Sequence, residues 1–230
     1  MITEKYTTFF SVLEENNNKE WFHEHKSAYE ADVKKPFLEL LEELIPEVEK
    51  LEPAISPNPK DALFRINRDI RFAKDKSPYR TLMKAGFSPG GKKSELPGFY
   101  LGISADKIHV GGGLFNIQSP QLKIIRRLIT EKTDEFLAII NFPSFKNIFG
   151  ELQGERAKRL DLAFQDTLNE TPYVANKQFY VMQQMDLQPF LNSDNLREVV
   201  IQYFKEVNPL NRFLKKALLD DTDRLNTTAK

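Results

Sequence analysis

The sequence predicts an α+β fold: a single domain over residues 1–230, with a central, mostly antiparallel sheet flanked by N-terminal and C-terminal helices. Near both ends of the chain, apolar residues recur at three- and four-residue steps, which is typical of amphipathic helices. In the middle, apolar and polar residues alternate, which indicates strands with one buried face. No internal repeat or long linker separates these regions.

The N-terminal part is predicted to be helical. A first helix is expected over Glu4–Glu15, and Asn16 to Asn18 should end it, because asparagine suits helix termini. A longer apolar stripe over residues 22–51 predicts a second helical stretch. Pro36 and Pro46 lie inside this stretch, so we expect a kink or two abutting helices.

Strands are predicted in the middle of the chain and once more near its end. The alternation of Phe64, Ile66, Ile70 and Phe72 with polar residues predicts the first strand. The predicted strands cover residues 62–72, 84–88, 98–104, 108–111 and 177–184. The short turn at residues 104–107 should join two of them as a hairpin.

Helices are expected again after the hairpin. Ser119-Pro120 is a strong start signal, with Ser119 predicted as the N-cap. Short helices should follow at residues 133–140 and 143–149, and a closing helix at residues 194–219, interrupted at Asn208-Pro209. The stretch 150–172 is polar and without periodicity, so no element is predicted there.

The composition restricts the classes of function. The chain has 33 Lys and Arg against 33 Asp and Glu, so a general nucleic-acid binder, which is usually basic overall, is disfavoured. Cysteine is absent, which excludes a thiolate zinc site and a cysteine nucleophile and fits a reducing, cytoplasmic location. The sequence offers no membrane-spanning run, and we expect no membrane association.

No cofactor is predicted, and no histidine-based metal site is expected. His23 and His25 are two residues apart on a predicted helix, about 200° around its axis, so they cannot face one ion. A site built from Asp and Glu oxygens stays open.

Residues 60–84 carry a concentrated positive charge. Eight basic and three acidic residues give this segment a local charge of +5 in a neutral protein. On the strand interpretation, Arg68 shares a face with the apolar residues and therefore needs a carboxylate, carbonyls or a bound anion. Asp69 would lie on the opposite face, nearer Arg65, Asn67 and Arg71.

Two interpretations of this segment remain open. In the first, it binds a phosphate or carboxylate through guanidinium donors, with Asp69 or Asp75 as catalytic acid or base. In the second, Arg-Asp pairs only stabilise the strand and its turn. The candidate ligand-binding residues here are Arg65, Asn67, Arg68, Arg71, Lys76, Tyr79 and Arg80.

The block from Phe64 to Tyr79 resembles the signature of the family known as domain of unknown function 2461. Further similarities are the segment from Asn17 to Phe22, Gly111-Gly112-Gly113-Leu114, Leu122 with Arg126, Asn208-Pro209-Leu210, and Phe213-Leu214. The resemblance covers nearly the whole chain. It implies a single α+β domain and assigns no reaction, ligand or catalytic residue.

Gly112 and Gly113 are weaker candidates. Three consecutive glycines before the predicted helix start at Ser119 would allow a ligand to approach the backbone closely. Their spacing matches neither the phosphate loop nor the dinucleotide fingerprint. The alternative is a glycine bend at the end of a strand.

Three functions therefore compete. The favoured one is binding of, or catalysis on, a small anionic ligand. The second is a nucleic-acid or protein-binding module that uses the 60–84 segment and Lys92-Lys93, with Phe64, Phe72 and Tyr79 as stacking residues. The third is a structural role without a ligand. The reaction type and the oligomeric state are left open.

Overall fold

The N-terminal half is built from helices whose ends follow the asparagines and prolines of the sequence. The structure, a computed structural model, describes the backbone of residues 1–228 and the side chains of residues 1–219. Helix α1 spans Glu4–Glu15, as predicted, and α2 spans Lys19–Glu24. Between them, Asn18 caps α2, because its side chain accepts a hydrogen bond from the Trp21 N–H.

The second helical stretch contains a π-helix. Helix α3 (Lys26–Ala28) continues into a π-helix at Tyr29–Lys34 and then into α4 (Lys35–Leu51). Pro36 lies in the first turn of α4, directly after the π-helix. Pro46 lies inside α4 and does not end it; of the expected kink or abutting helices, division of the helix at Pro46 is therefore wrong. A short helix, α5 (Pro59–Ala62), follows.

Four strands form an antiparallel sheet in the order β1-β2-β3-β4. Strand β1 spans Leu82–Phe87, β2 Gly98–Ser104, β3 Lys107–Leu114 and β4 Phe179–Asp186. The prediction for β2 is confirmed residue for residue, and the other three are confirmed with shifted or extended ends. The α+β class, with its antiparallel sheet between N-terminal and C-terminal helices, is therefore confirmed.

The predicted strand over residues 62–72 is wrong. This segment makes only isolated antiparallel bridges, at Leu63 and Asn67. The expected apolar face is also lost: Ile66 is buried, but Phe72 is 96 % exposed. Beyond Arg68, local bonds replace the ladder: Asp69 accepts from the Arg71 N–H, and the Lys76 ammonium donates to Ile70 O.

The later helices agree closely with the sequence except for the short α-helix that lies in the stretch 150–172, where no element is predicted. Helices α6 (Ser119–Glu131), α7 (Thr133–Ile140), α8 (Pro143–Phe149) and α9 (Gln165–Glu170) precede β4. Short 3-10 turns lie at Leu162–Phe164, Pro172–Ala175 and Gln188–Phe190. The predicted N-cap of α6 is wrong by one residue, because Gln118 forms a capping box with Gln121.

The closing helix α10 runs continuously over Asn195–Thr228. Its expected interruption at Asn208-Pro209 is wrong. Val207, Leu210 and Leu214 are fully buried beside the proline, and burial of each such side chain contributes about 1.5–3 kcal/mol. Together they outweigh the cost of about 3 kcal/mol for a proline in a helix interior.

The contacts divide the chain into two compact units. Unit 1 comprises residues 1–87, 100–110 and 184–202, and unit 2 comprises residues 88–99, 111–183 and 203 onwards. Aromatic rings are prominent in both: Phe9, Phe10 and Phe22 cluster in unit 1, and Phe136 packs on Phe213 in unit 2. The extent of a single domain over residues 1–230 stays a prediction.

Candidate functional site

Residues 63–80 form two short arms joined by an exposed loop. The arms pair antiparallel through the bridge Asn67↔Tyr79, and the first arm also bridges β1 at Leu63↔Ala85. The backbone bonds that hold the arms are Arg68 N–H to Pro78 O at 2.8 Å, Arg80 N–H to Ile66 O at 2.9 Å and Phe64 N–H to Lys84 O at 2.9 Å. This pairing fixes the loop 69–77 at both of its ends.

Asp75 is the centre of a hydrogen-bonded group in this loop. One carboxylate oxygen accepts from the Ser77 hydroxyl at 2.6 Å and from the Ser77 N–H at 2.9 Å. The other oxygen forms an ion pair with the Arg68 guanidinium. The hydrogen bonds from Ser77, followed by that from Arg68, hold the pKa of Asp75 far below its usual value. Asp75 is therefore a persistently ionised carboxylate.

Asp69 and Arg71 form a second pair on the same loop. The guanidinium donates to both carboxylate oxygens, at 2.9 Å and 2.6 Å. These bonds, together with the Arg71 N–H, lower the pKa of Asp69. The pairing confirms the expectation that Arg71 is a neighbour of Asp69. Both side chains are exposed, so the pair adds little to the stability of the fold.

Asn17 joins the loop between α1 and α2 to the second arm. Its side-chain amide donates to Tyr79 O at 3.0 Å and accepts from Tyr79 N–H at 3.0 Å. The Tyr79 ring stacks on Phe22, with centroids 3.9 Å apart and planes at 17°. Two of the segments on which the family resemblance rests, around Asn17–Phe22 and Phe64–Tyr79, therefore meet in unit 1.

A cavity of about 340 Å³ opens beside this junction. Arg80 lies in its wall, and its buried Nε atom has no hydrogen-bond partner. No carboxylate among the described residues forms an ion pair with Arg80. The pKa of Lys84 is lowered by burial and, to a smaller extent, by the positive charge of Arg80. The residues that line the cavity are Glu14, Asn17, Arg68, Asp75, Ser77, Tyr79, Arg80, Thr81 and Leu82.

The structure brings together part of the predicted site. Arg68, Asp75, Tyr79 and Arg80 line the cavity, whereas the other candidates on this segment do not. Those others are Arg65, Asn67, Asp69, Arg71 and Lys76. Tyr79 contributes little of its ring surface to the cavity wall, because the residue is only 9 % exposed.

Gly112 and Gly113 lie near the end of β3 in unit 2, and Gly113 has a φ of 118°, which favours glycine, so the alternative of a glycine bend at the strand end fits the backbone here. A Cβ atom at Gly112 would be 2.4 Å from Gly98 O, and one at Gly113 would be 2.3 Å from Phe179 O. The backbones of the neighbouring strands β2 and β4 therefore occupy the space beside these two glycines.

Glu14, Asn17 and Thr81 belong to the cavity wall but were not candidates. Of these three residues, the sequence indicated only Asn17, through the family similarity of its segment. Glu14 and Thr81 give no signal of their own, because an exposed glutamate on a helix and a threonine before a strand are common.

Two further properties concern the described residues as a whole. No group of three His, Cys, Asp or Glu side chains there could hold a metal ion. No helix in the described part of the chain combines the length and the apolar character needed to cross a membrane.

The comparisons with known proteins place the chain in a family. The family described as "Conserved hypothetical protein (DUF2461)" matches residues 5–213. The chain belongs to this family, which confirms the resemblance seen in the sequence. No curated protein matches the chain.

Proposed function

We propose that the protein binds a small ligand with a phosphate or carboxylate group in the cavity beside Arg80. The observation that carries the proposal is the Arg80 guanidinium: it lies in the cavity wall, has a buried Nε without an acceptor and forms no ion pair with a described carboxylate. A half-buried guanidinium without a counter-ion is costly, and an anion in the cavity would remove that cost.

The other charges around the cavity support this choice. Asp75 forms an ion pair with Arg68, so it does not serve Arg80 as a counter-ion, and Lys84 lies near Arg80, since burial and then the Arg80 charge lower the pKa of Lys84. The hydroxyl groups of Ser77 and Thr81 on the same wall can donate to anionic oxygens. Glu14 supplies an acceptor for a hydroxyl or amine elsewhere on the ligand. The volume, about 340 Å³, suits a small metabolite.

The same geometry favours binding over acid-base catalysis by the predicted aspartates. A general base works best when its pKa is near the working pH. Hydrogen bonds lower the pKa of both Asp69 and Asp75, so each is a weak base. Asp69 is also absent from the cavity wall. We therefore assign Asp75 the role of holding Arg68 and Ser77 in place.

The experiment is thermal unfolding of wild type and Arg80→Gln at constant ionic strength, with inorganic phosphate, sulfate, citrate and glycerol 3-phosphate as probes. A probe at ten times its dissociation constant stabilises the folded state by about 1.4 kcal/mol. For a chain of this size the midpoint then rises by about 3–6 °C. Arg80→Gln should lose this rise without melting earlier by itself, because an uncompensated cation is removed.

Arg159→Gln is the matched control, because Arg159 is an exposed arginine of unit 2. It removes the same charge and should keep the full response. The proposal is wrong if no probe shifts the wild type, or if Arg80→Gln and wild type respond equally. An early-melting Arg80→Gln without any ligand response in the wild type would assign Arg80 to the architecture. No cofactor is part of the proposal, and the cytoplasmic location stays a prediction.

A further inference from the structure

Phe72, at the tip of the loop 69–77, is a phenylalanine ring almost fully in water. It is 96 % exposed, and the Arg71 guanidinium carbon lies 5.9 Å from its ring centroid. The other predicted stacking residues are covered: Tyr79 stacks on Phe22, and the Lys84 ammonium lies 4.9 Å over the Phe64 ring. A large apolar side chain in this position contributes nothing to the core.

The loop that presents Phe72 is held by its own hydrogen bonds. The Lys76 ammonium donates to Ile70 O at 3.0 Å, across the base of the tip. Asp69 accepts from the Arg71 side chain on one side, and Asp75 accepts from Ser77 on the other. An aromatic ring on a loop ordered in advance loses less conformational entropy when it meets a partner.

The loop and the first arm are rich in basic residues. Residues 65–76 contain five basic and two acidic residues, a local charge of +3. Asp69 and Asp75 are each paired with an arginine. Arg65, Lys74 and Lys76 are exposed and form no ion pair with a described carboxylate. Three positive charges without a described acidic partner thus lie on the same loop and arm as the exposed Phe72 ring.

We propose that the loop 69–77 is a docking site for single-stranded nucleic acid, with a base stacked on Phe72 and phosphates beside Arg65, Lys74 and Lys76. An aromatic platform among cations is how single strands are bound without sequence readout. Insertion into a membrane would need more apolar area than one ring offers. A duplex keeps its bases stacked and cannot cover the ring. Phe72 does not line the Arg80 cavity, so this proposal is independent of the small-ligand site.

The test is fluorescence anisotropy with labelled 20-nucleotide oligo(dT), oligo(U) and a duplex of the same length, at 50 mM salt. Loss of one stacked base weakens binding about 5- to 150-fold, so Phe72→Ala should bind the single strands that much more weakly, and Phe72→Trp should keep the affinity. Because Phe72 is 96 % exposed, its truncation should leave the thermal midpoint unchanged. Phe142→Ala is the control, since Phe142 is 60 % exposed in unit 2.

Salt dependence gives a second readout. With three phosphates contacted, raising the salt from 50 to 200 mM should weaken single-strand binding about 20-fold. Lys74→Gln should reduce that slope by about one third. The proposal is overturned if the single strands do not bind, if Phe72→Ala binds as tightly as wild type, or if the duplex binds as well as the single strands. Binding to anionic lipid vesicles without binding to the oligonucleotides would also overturn it.

Discussion

Asn17→Ala should destabilise the protein through backbone groups that lie 62 positions away in the sequence. In the pairing of the two arms, the neighbours of Tyr79 make the cross-arm bonds, through Pro78 O and Arg80 N–H. The N–H and C=O of Tyr79 therefore point away from the first arm, and the Asn17 amide satisfies both at 3.0 Å. Asparagine supplies a donor and an acceptor on one planar group, as a third strand would.

The expected loss follows from these two bonds. Each contributes about 1 kcal/mol, and part-buried backbone groups left without partners cost up to about 3 kcal/mol. Asn17→Ala should thus lower the free energy of unfolding by about 2–3 kcal/mol, which lowers the melting midpoint by about 4–12 °C. Asn17→Asp should lose nearly as much, because a carboxylate cannot donate to Tyr79 O and repels it.

The assay is urea unfolding followed by circular dichroism, with Asn18→Ala as the comparison. Asn18 makes a single bond as the N-cap of α2, so its loss should cost about 1 kcal/mol. A loss from Asn17→Ala no larger than that from Asn18→Ala would contradict the prediction. Because Asn17 holds the backbone next to Arg80, Asn17→Ala should also weaken the anion response proposed for the cavity.

Two further predictions concern β3 and the loop 69–77. Gly111→Ala should destabilise the fold by about 3 kcal/mol or more, because a Cβ atom there would lie 2.0 Å from Val181 O. Gly102→Ala should cost clearly less, because its Cβ atom would meet only movable side-chain atoms. Melting curves that rank the two variants the other way would contradict this prediction. Asp75→Asn should melt below wild type at pH 7. Because the pKa of Asp75 is lowered in the fold, its stabilisation is present above about pH 4 and is lost as the pH falls further. The gap between the two midpoints should shrink below pH 4, and a gap that stays constant to pH 2 would contradict the assignment.

The regular elements could be predicted because their signals are local. Helix α1, α7 and α8 and strand β2 have the predicted ends, since periodicity and terminal residues determine them. The break expected at Pro209 failed because the cost of a proline is local, whereas the burial that outweighs it depends on packing partners elsewhere in the chain.

The candidate site was predictable only in part, for a similar reason. The charge of residues 60–84 pointed to Arg68, Asp75 and Arg80. Alternation suggested a strand, but hydrogen bonds such as Lys76 to Ile70 O compete with the ladder and no local pattern reveals them. The contact between Asn17 and Tyr79 depends on tertiary structure, so no local pattern predicts it. Only the family resemblance singled out the two segments that contain these residues.

The π-helix at Tyr29–Lys34 determines how insertions and deletions would act on unit 1. A π-turn closes its hydrogen bonds over five residues where an α-turn needs four, so it holds one residue more without ending the helix. Tyr29, Val33 and Phe37 are all buried, and they lie four residues apart in the sequence. In a regular α-helix, side chains at this spacing are displaced by about 40° around the helix axis at every step. Deleting one residue here would restore α-helical winding and keep the preceding turn in register with α4, because the extra residue is held within the wider π-turn. This stretch should thus tolerate the loss of one residue better than α4, where each deletion would turn one part of the helix by about 100° relative to the other.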